Sequence, residues 1–231
     1  MPNWATNIVT IQGDTATLDE IATKLATPYE KIVKHIPSGA EKALPVTGDF
    51  LLWNIVAPDD IEAYYAEPQK PQIGDTIEES MNNAVRELQE SNNWYAWNVR
   101  NWGTKWEISG AQLQKTDKSI IYTFDSAWSP PVEAIAKLAS LYPQVTVSIR
   151  FVEEGMGFAG EVFFRDGEHE SDAEYQINHA TMLNFEDFCW VCGEGTDEYG
   201  TKDIDPELAK QYGCLEYKAD IDKLNQMLEE K

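Results

Sequence analysis

Val145-Thr146-Val147-Ser148-Ile149-Arg150-Phe151-Val152-Glu153 sets Val145, Val147, Ile149 and Phe151 on one side and Thr146, Ser148, Arg150 and Val152 on the other. Period-two alternation with β-branched residues predicts a strand with one face turned to a core. Gly155-Met156-Gly157 turns the chain, and Phe158 to Arg165 returns as the hairpin partner. Asp166-Gly167-Glu168 predicts another turn, with an edge strand over 173–178. Upstream, Ser129-Pro130-Pro131 opens a helix, because proline is favoured at first helical positions. Val132, Ile135, Ala136, Leu138 and Ala139 form its inner face, and Pro143 closes it.

The same alternation runs from Trp4 to Gln12, with Trp4, Thr6, Ile8 and Thr10 facing one way and Ala5, Asn7, Val9 and Ile11 the other. Thr17, with Glu20 three residues on, reads as a capping box for a helix ending at Pro28. Residues 28–48, punctuated by Pro28, Pro37, Gly39, Pro45 and Gly48, read as a loop. The apolar run Asp49 to Val56 reads as a buried strand, Thr76 to Glu90 as a helix, and Lys105 to Ser109 and Ser119 to Asp125 as strands. Setting aside an insertion at about 57–92, the order reduces to βαββαβ, the ferredoxin-like split βαβ plan. The expected class is therefore α+β: an antiparallel sheet with helices packed on one face. It occupies a domain over 1–180, and an acidic, partly helical extension over 181–231 has weak helices at Asp205 to Tyr212 and Asp220 to Glu229.

The 231 residues carry 40 acids against 18 Lys and Arg, a net charge of −22. Between Glu153 and Lys231 there are 21 acids and 6 Lys or Arg. Phosphate neutralisation needs Lys and Arg, so direct nucleic-acid binding is excluded, and an anionic membrane surface is disfavoured for the same reason. Two readings of the charge remain: solubility, or a surface for a basic partner that imitates a phosphate backbone. No apolar run is long enough to span a bilayer, and the start lacks the basic and apolar regions of a signal peptide, so a cytoplasmic protein is expected. Three Cys argue against a disulfide framework.

Four of the eight Trp fall in Asn93-Trp94-Tyr95-Ala96-Trp97-Asn98-Val99-Arg100-Asn101-Trp102-Gly103-Thr104-Lys105-Trp106. This stretch reads either as packing between sheet and helix or as a recognition surface, since Trp, Tyr and Arg dominate binding hot spots. On the second reading the candidate residues are Trp94, Trp97, Asn98, Asn101, Trp102, Thr104 and Lys105, joined by Trp128 and by the acidic pair Glu153 and Glu154.

The residues Met1-Pro2-Asn3-Trp4, Trp94-Tyr95-Ala96-Trp97-Asn98 with Asn101 to Trp106, Phe124 to Pro131 and Glu154 to Gly160 together resemble the Api92-like, YubB ferredoxin-like-domain family, over roughly 1–165. That family is carried by phages, plasmids and bacterial genomes. The resemblance implies a fold and a mobile-element setting rather than an activity. Where that family usually has Cys and Thr, this chain has Ala5 and Ser126.

Cys189-x-x-Cys192 with Cys214 and His179 or His169 supplies half of a double-knuckle zinc pattern; buried thiols and a redox pair are the other readings. No cofactor is expected. Glu153-Glu154, Asp59-Asp60 and Glu78-Glu79 are paired acids without a catalytic partner in sequence. Gly155-x-Gly157-x-x-Gly160 matches a nucleotide fingerprint in form but lies between two strands, and reads as a hairpin turn with a bulge. The expected function is non-enzymatic: binding a host protein, such as a basic nucleic-acid-binding protein or a defence factor. The alternative is a small-molecule or nucleotide-binding module with a Trp-lined pocket.

Overall fold

The computed structural model describes residues 3–34, 41–66, 73–178, 182 and 206–214. Strand β1 (Trp4–Gln12) leads into helix α1 (Thr15–Leu25). A long connection then carries β2 (Tyr29–Lys34), β3 (Glu41–Val46), a single 3-10 turn (Leu52–Asn54), α2 (Ile61–Tyr64), α3 (Ile77–Glu90) and α4 (Trp94–Trp102). The chain returns through β4 (Gln112–Lys115), β5 (Ser119–Ala127), α5 (Val132–Leu141), β6 (Thr146–Glu153), β7 (Phe158–Arg165) and β8 (Glu168–Tyr175). A short helix, α6 (Pro206–Gln211), follows.

The main sheet runs β4-β5-β1-β6-β7-β8, antiparallel at each pairing. Its first four strands, with α1 and α5 as crossovers, are the ferredoxin-like βαββαβ unit, and β7 and β8 extend it as a meander. Ala5, Asn7, Val9 and Ile11 all turn to the helix-covered face, as the alternation requires. There Val9, Ile11, Ile120, Tyr122, Val147 and Ile149 pack with Leu18, Ile21 and Leu25 of α1 and Ile135 and Leu138 of α5. Each such side chain contributes about 1.5–3 kcal/mol on burial. The one polar member of the β1 row, Asn7, is buried and donates from Nδ2 to the Ala5 carbonyl and to Ser126 Oγ. Ala5 and Ser126 stand directly opposite each other across β1 and β5. They form a single packing site.

Several elements differ from the sequence expectation. Helix α1 is capped by Asp14, which accepts from Thr17 N at 3.0 Å and from Thr17 Oγ1 at 2.7 Å; Thr17 lies in the first turn. Those bonds hold the Asp14 carboxyl below its ordinary pKa. Residues read as a loop form the β2–β3 hairpin, with Tyr29 opposite Val46. Pro45 is tolerated there because a two-stranded ladder leaves edge positions that need no N–H. The run Asp49 to Val56 is buried at Phe50, Leu51 and Leu52 but forms no strand. Leu52 N and Trp53 N donate instead to the Glu107 carboxylate. Residues 105–109 are likewise not a strand; the edge strand of the ferredoxin-like unit is β4, at Gln112–Lys115. Strand β8 begins at Glu168, earlier than expected, and the bulge falls between Phe163 and Phe164 rather than in the 155–160 turn. Among the described residues no helix is long and apolar enough to cross a membrane.

Candidate functional site: an aromatic pocket beside the Trp helix

The Trp-rich stretch is a helix with both ends fixed by sequence. Asn93 caps α4, its Oδ1 accepting from Tyr95 N at 3.0 Å and Ala96 N at 3.1 Å. Gly103 ends it with φ +83, and a Cβ there would stand 3.1 Å from the Pro130 carbonyl oxygen and 3.2 Å from Val132 N. Only glycine takes this left-handed cap without strain while letting α4 approach α5 so closely. Between the caps, Trp94, Trp97, Asn98, Asn101 and Trp102 recur at helical spacing and share one face. Trp97 and Trp102 meet edge to face at 5.6 Å, and Trp102 Nε1 donates to the Val56 carbonyl at 3.0 Å.

The polar members of the stretch serve this packing. Asn98 is buried; its Oδ1 accepts from Tyr64 Oη at 3.0 Å and its Nδ2 donates to the Lys105 carbonyl at 2.9 Å. Asn101 Nδ2 donates back to the Trp97 carbonyl. Buried Thr104 donates from Oγ1 to the Ala127 carbonyl at 2.8 Å, tying the end of α4 to β5. Lys105 Nζ lies over the Trp106 ring at 5.0 Å and the Tyr95 ring at 5.5 Å.

Against the outer side of α4 lies a cavity of about 500 Å³. Trp94, Asn98 and Trp102 of α4 form one wall, and Trp106 and Glu107 extend it. Tyr29, Lys31, Ile32 and Val33 of β2 face them, and Trp53 of the 3-10 turn with Tyr64 and Tyr65 of α2 complete the lining. The rings brace one another: Tyr29 stacks on Trp53 at 4.9 Å and 7°, and Tyr64 meets Trp53 edge to face at 5.5 Å. Tyr65 Oη accepts from Ile32 N at 3.2 Å, which holds α2 to the hairpin.

Glu107 joins these parts. Its carboxylate accepts from Leu52 N at 2.6 Å, from Trp53 N and Ile108 N at 3.0 Å each, and from Tyr29 Oη at 3.1 Å. Burial pushes its pKa above the ordinary carboxylate value, and the four donors oppose that shift. Burial, with the neighbouring Glu107 charge, pushes the Tyr29 hydroxyl up as well, so the phenol keeps its proton and donates it. The lining therefore offers ring faces, aliphatic carbon, one partly buried carboxylate and one ammonium, a set suited to holding a ligand.

Of the residues singled out from sequence, the structure brings Trp94, Asn98 and Trp102 to the cavity, with Trp97 packed behind them. Asn101, Thr104 and Lys105 fix the helix and its exit. Trp128 lies elsewhere, at the end of β5, about half exposed with φ +73 and its N–H donated to the Asn3 carbonyl. Glu153 closes the β6–β7 turn by accepting from Gly155 N and Met156 N, with Glu154 next in the same turn. Asp60 caps α2 and Glu79 bonds Asp75 N, so these acids serve local structure. Cys189, Cys192 and His179 lie outside the described residues; Cys214 is buried with Met182 and Ala209, and His169 sits 3.4 Å from Asp172. Sequence reasoning missed Tyr29, Trp53, Tyr64, Tyr65 and Glu107. The usable signal was Asn93 and Gly103 bracketing helical Trp spacing, which marks a helix with a face to cover.

Residues 101–193 match the family described as "Ferredoxin-like domain in Api92-like protein". A crystal structure of protein api92 from Yersinia pseudotuberculosis aligns over 76% of this chain and 98% of its own, at 12% identity and a TM-score of 0.43. No curated protein matches the chain.

Proposed function

Starting from a chain whose residues 101–193 match the ferredoxin-like domain of Api92-like proteins, we propose that this protein is a small-ligand-binding module whose site is the aromatic pocket between α4 and the β2–β3 hairpin. The observation that carries the proposal is the cavity of about 500 Å³, within the usual range for small-molecule sites, walled by rings from four separate segments around the partly buried Glu107. Tyr29, Tyr64 and Trp102 donate within the protein, to Glu107, Asn98 and the Val56 carbonyl, and Tyr65 Oη accepts from Ile32 N, which leaves the Lys31 ammonium as the charged donor of the lining. A nucleotide, which needs donors for its phosphates, is the poorer fit. Intrinsic Trp fluorescence in a metabolite screen tests the reading. A saturable change that is lost in Trp94→Leu, with circular dichroism unchanged, is expected; a screen with no saturable change counts against it.

A second reading, contact with a host protein, is favoured by α3. Ile77, Met81 and Val85 form an apolar stripe, bordered by Glu78 and Glu79, that lies open on the surface. On this reading the chain works in the host-cell cytoplasm as a phage or mobile-element protein. Its acidic character draws a basic partner, such as a nucleic-acid-binding protein or defence factor, and the stripe supplies the apolar contact. Capture of one such partner should weaken steeply with salt and be lost in Met81→Asp. Salt-independent capture by both forms would sink it.

A further inference from the structure

We propose that the aromatic pocket takes a compact organic cation, a quaternary or methylated ammonium group; the inference rests on the ligand-binding reading and names its ligand class. Three observations converge.

First, the walls are aromatic rings: Tyr29, Trp53, Tyr64, Tyr65, Trp94 and Trp106. Ring faces carry negative quadrupole potential, and a cation without N–H groups asks for nothing else. The Tyr29 and Tyr64 hydroxyls donate inside the protein and Tyr65 Oη accepts from Ile32 N, so these residues offer the cavity mainly ring surface.

Second, Glu107 places a partly buried carboxylate in the lining, and its four hydrogen-bond donors are all neutral. Dipoles hold it, and a cation in the cavity supplies the opposite charge. Low-dielectric surroundings strengthen that attraction relative to water.

Third, the chain already uses this interaction at the border of the site, where Lys105 Nζ lies 5.0 Å from the Trp106 ring centroid. The opposing feature is Lys31, also in the lining but on an exposed stretch of β2. Lys105 opposes a bound cation too, and within a Debye length of about 8 Å salt screens neither charge fully, so the rings and Glu107 have to outweigh both.

The test uses the full chain, titrated by calorimetry and Trp emission at physiological salt with choline and with 3,3-dimethylbutan-1-ol, its neutral carbon isostere. Choline should bind about tenfold tighter than the alcohol or better. That preference should disappear in Trp106→Leu and shrink in Glu107→Gln. Trp106 is partly exposed, so its variant keeps the test open if Glu107→Gln fails to fold. Equal binding of the two compounds, or tighter binding of the alcohol, overturns the cation assignment and leaves the ligand-binding reading standing. Saturable binding of indole or adenine with no response to choline does the same. If none of these compounds binds, both the cation assignment and the pocket reading fall.

Discussion

Helices α3 and α4 are separated only by Ser91-Asn92-Asn93, yet they put their apolar residues to opposite uses. In α3, Ile77, Met81 and Val85 are 82%, 64% and 50% exposed. In α4, Ala96, Trp97, Asn98 and Trp102 are buried. The more regularly amphipathic helix is the one left open, and the one with polar residues interleaved among its Trp is the one enclosed. Periodicity tells which face of a helix is apolar; whether that face is covered depends on what other segments deliver to it. α4 receives Tyr64, Val56, Ala127 and Pro130 from four places in the chain. α3 is held at its end, where Arg100 donates to the Leu88 and Ser91 carbonyls and Asn93 Nδ2 to Glu87.

The sharpest way to break this contrast is to empty α4. Trp102 is 1% exposed and sits among Trp97, Val56 and the core. Trp102→Ala should cost about 3–5 kcal/mol, read by urea denaturation. A cost below about 1 kcal/mol would mean that α4 is not enclosed as described.

Glu107→Gln comes next, at about 1–3 kcal/mol, because an amide cannot accept all the bonds the carboxylate does. Its pH dependence carries a sign. The folded pKa of Glu107 is raised above the ordinary 4.5, so its contribution is fully present below that value and is lost as pH rises through the folded pKa. The stability gap between wild type and Glu107→Gln should therefore narrow as pH increases from about 4.5. A widening gap would mean that the backbone donors outweigh burial.

At the α4 cap, Gly103→Ala should cost roughly 1–2 kcal/mol through its positive φ and close contact with Pro130, read as a fall in thermal midpoint.

These residues mark where sequence was legible. The strands β1, β5, β6 and β7 and the helix α5 follow from alternation and helical spacing, since each has one face for the core and its own residues show it; α3 follows from its spacing alone, with its apolar face left exposed. The β2–β3 hairpin has no such pattern: Glu41 to Leu44 and Pro45 are all exposed, and Pro45 and Gly48 look like loop punctuation. The run at Leu51-Leu52 was legible as buried but not as irregular, because Leu51 N is satisfied by the Leu25 carbonyl and Leu52 N and Trp53 N by a carboxylate more than fifty positions away. The pocket was half legible. Trp94, Asn98 and Trp102 stand out in composition, but Tyr29, Trp53 and Tyr64 reach them only through tertiary packing. Glu107 looked like the polar member of an alternating strand.

The smallest expected effect bears on the other side of the contrast. If the α3 stripe is solvated in the isolated chain, replacing Ile77, Met81 or Val85 singly by Ser removes little buried area and should shift stability by no more than about 0.5 kcal/mol. Helix propensity changes little at Met81, and at the β-branched positions Ser is no worse a helix former, so packing dominates whatever is seen. The measurement is chemical denaturation of each variant at two protein concentrations. A loss near 2 kcal/mol at both would place another part of the same chain over the stripe. A loss that appears only at the higher concentration would place a second copy there. A loss within the expected bound at both leaves α3 as an apolar face open to solvent while α4, one turn of chain away, has most of its own face packed and the rest turned to the cavity.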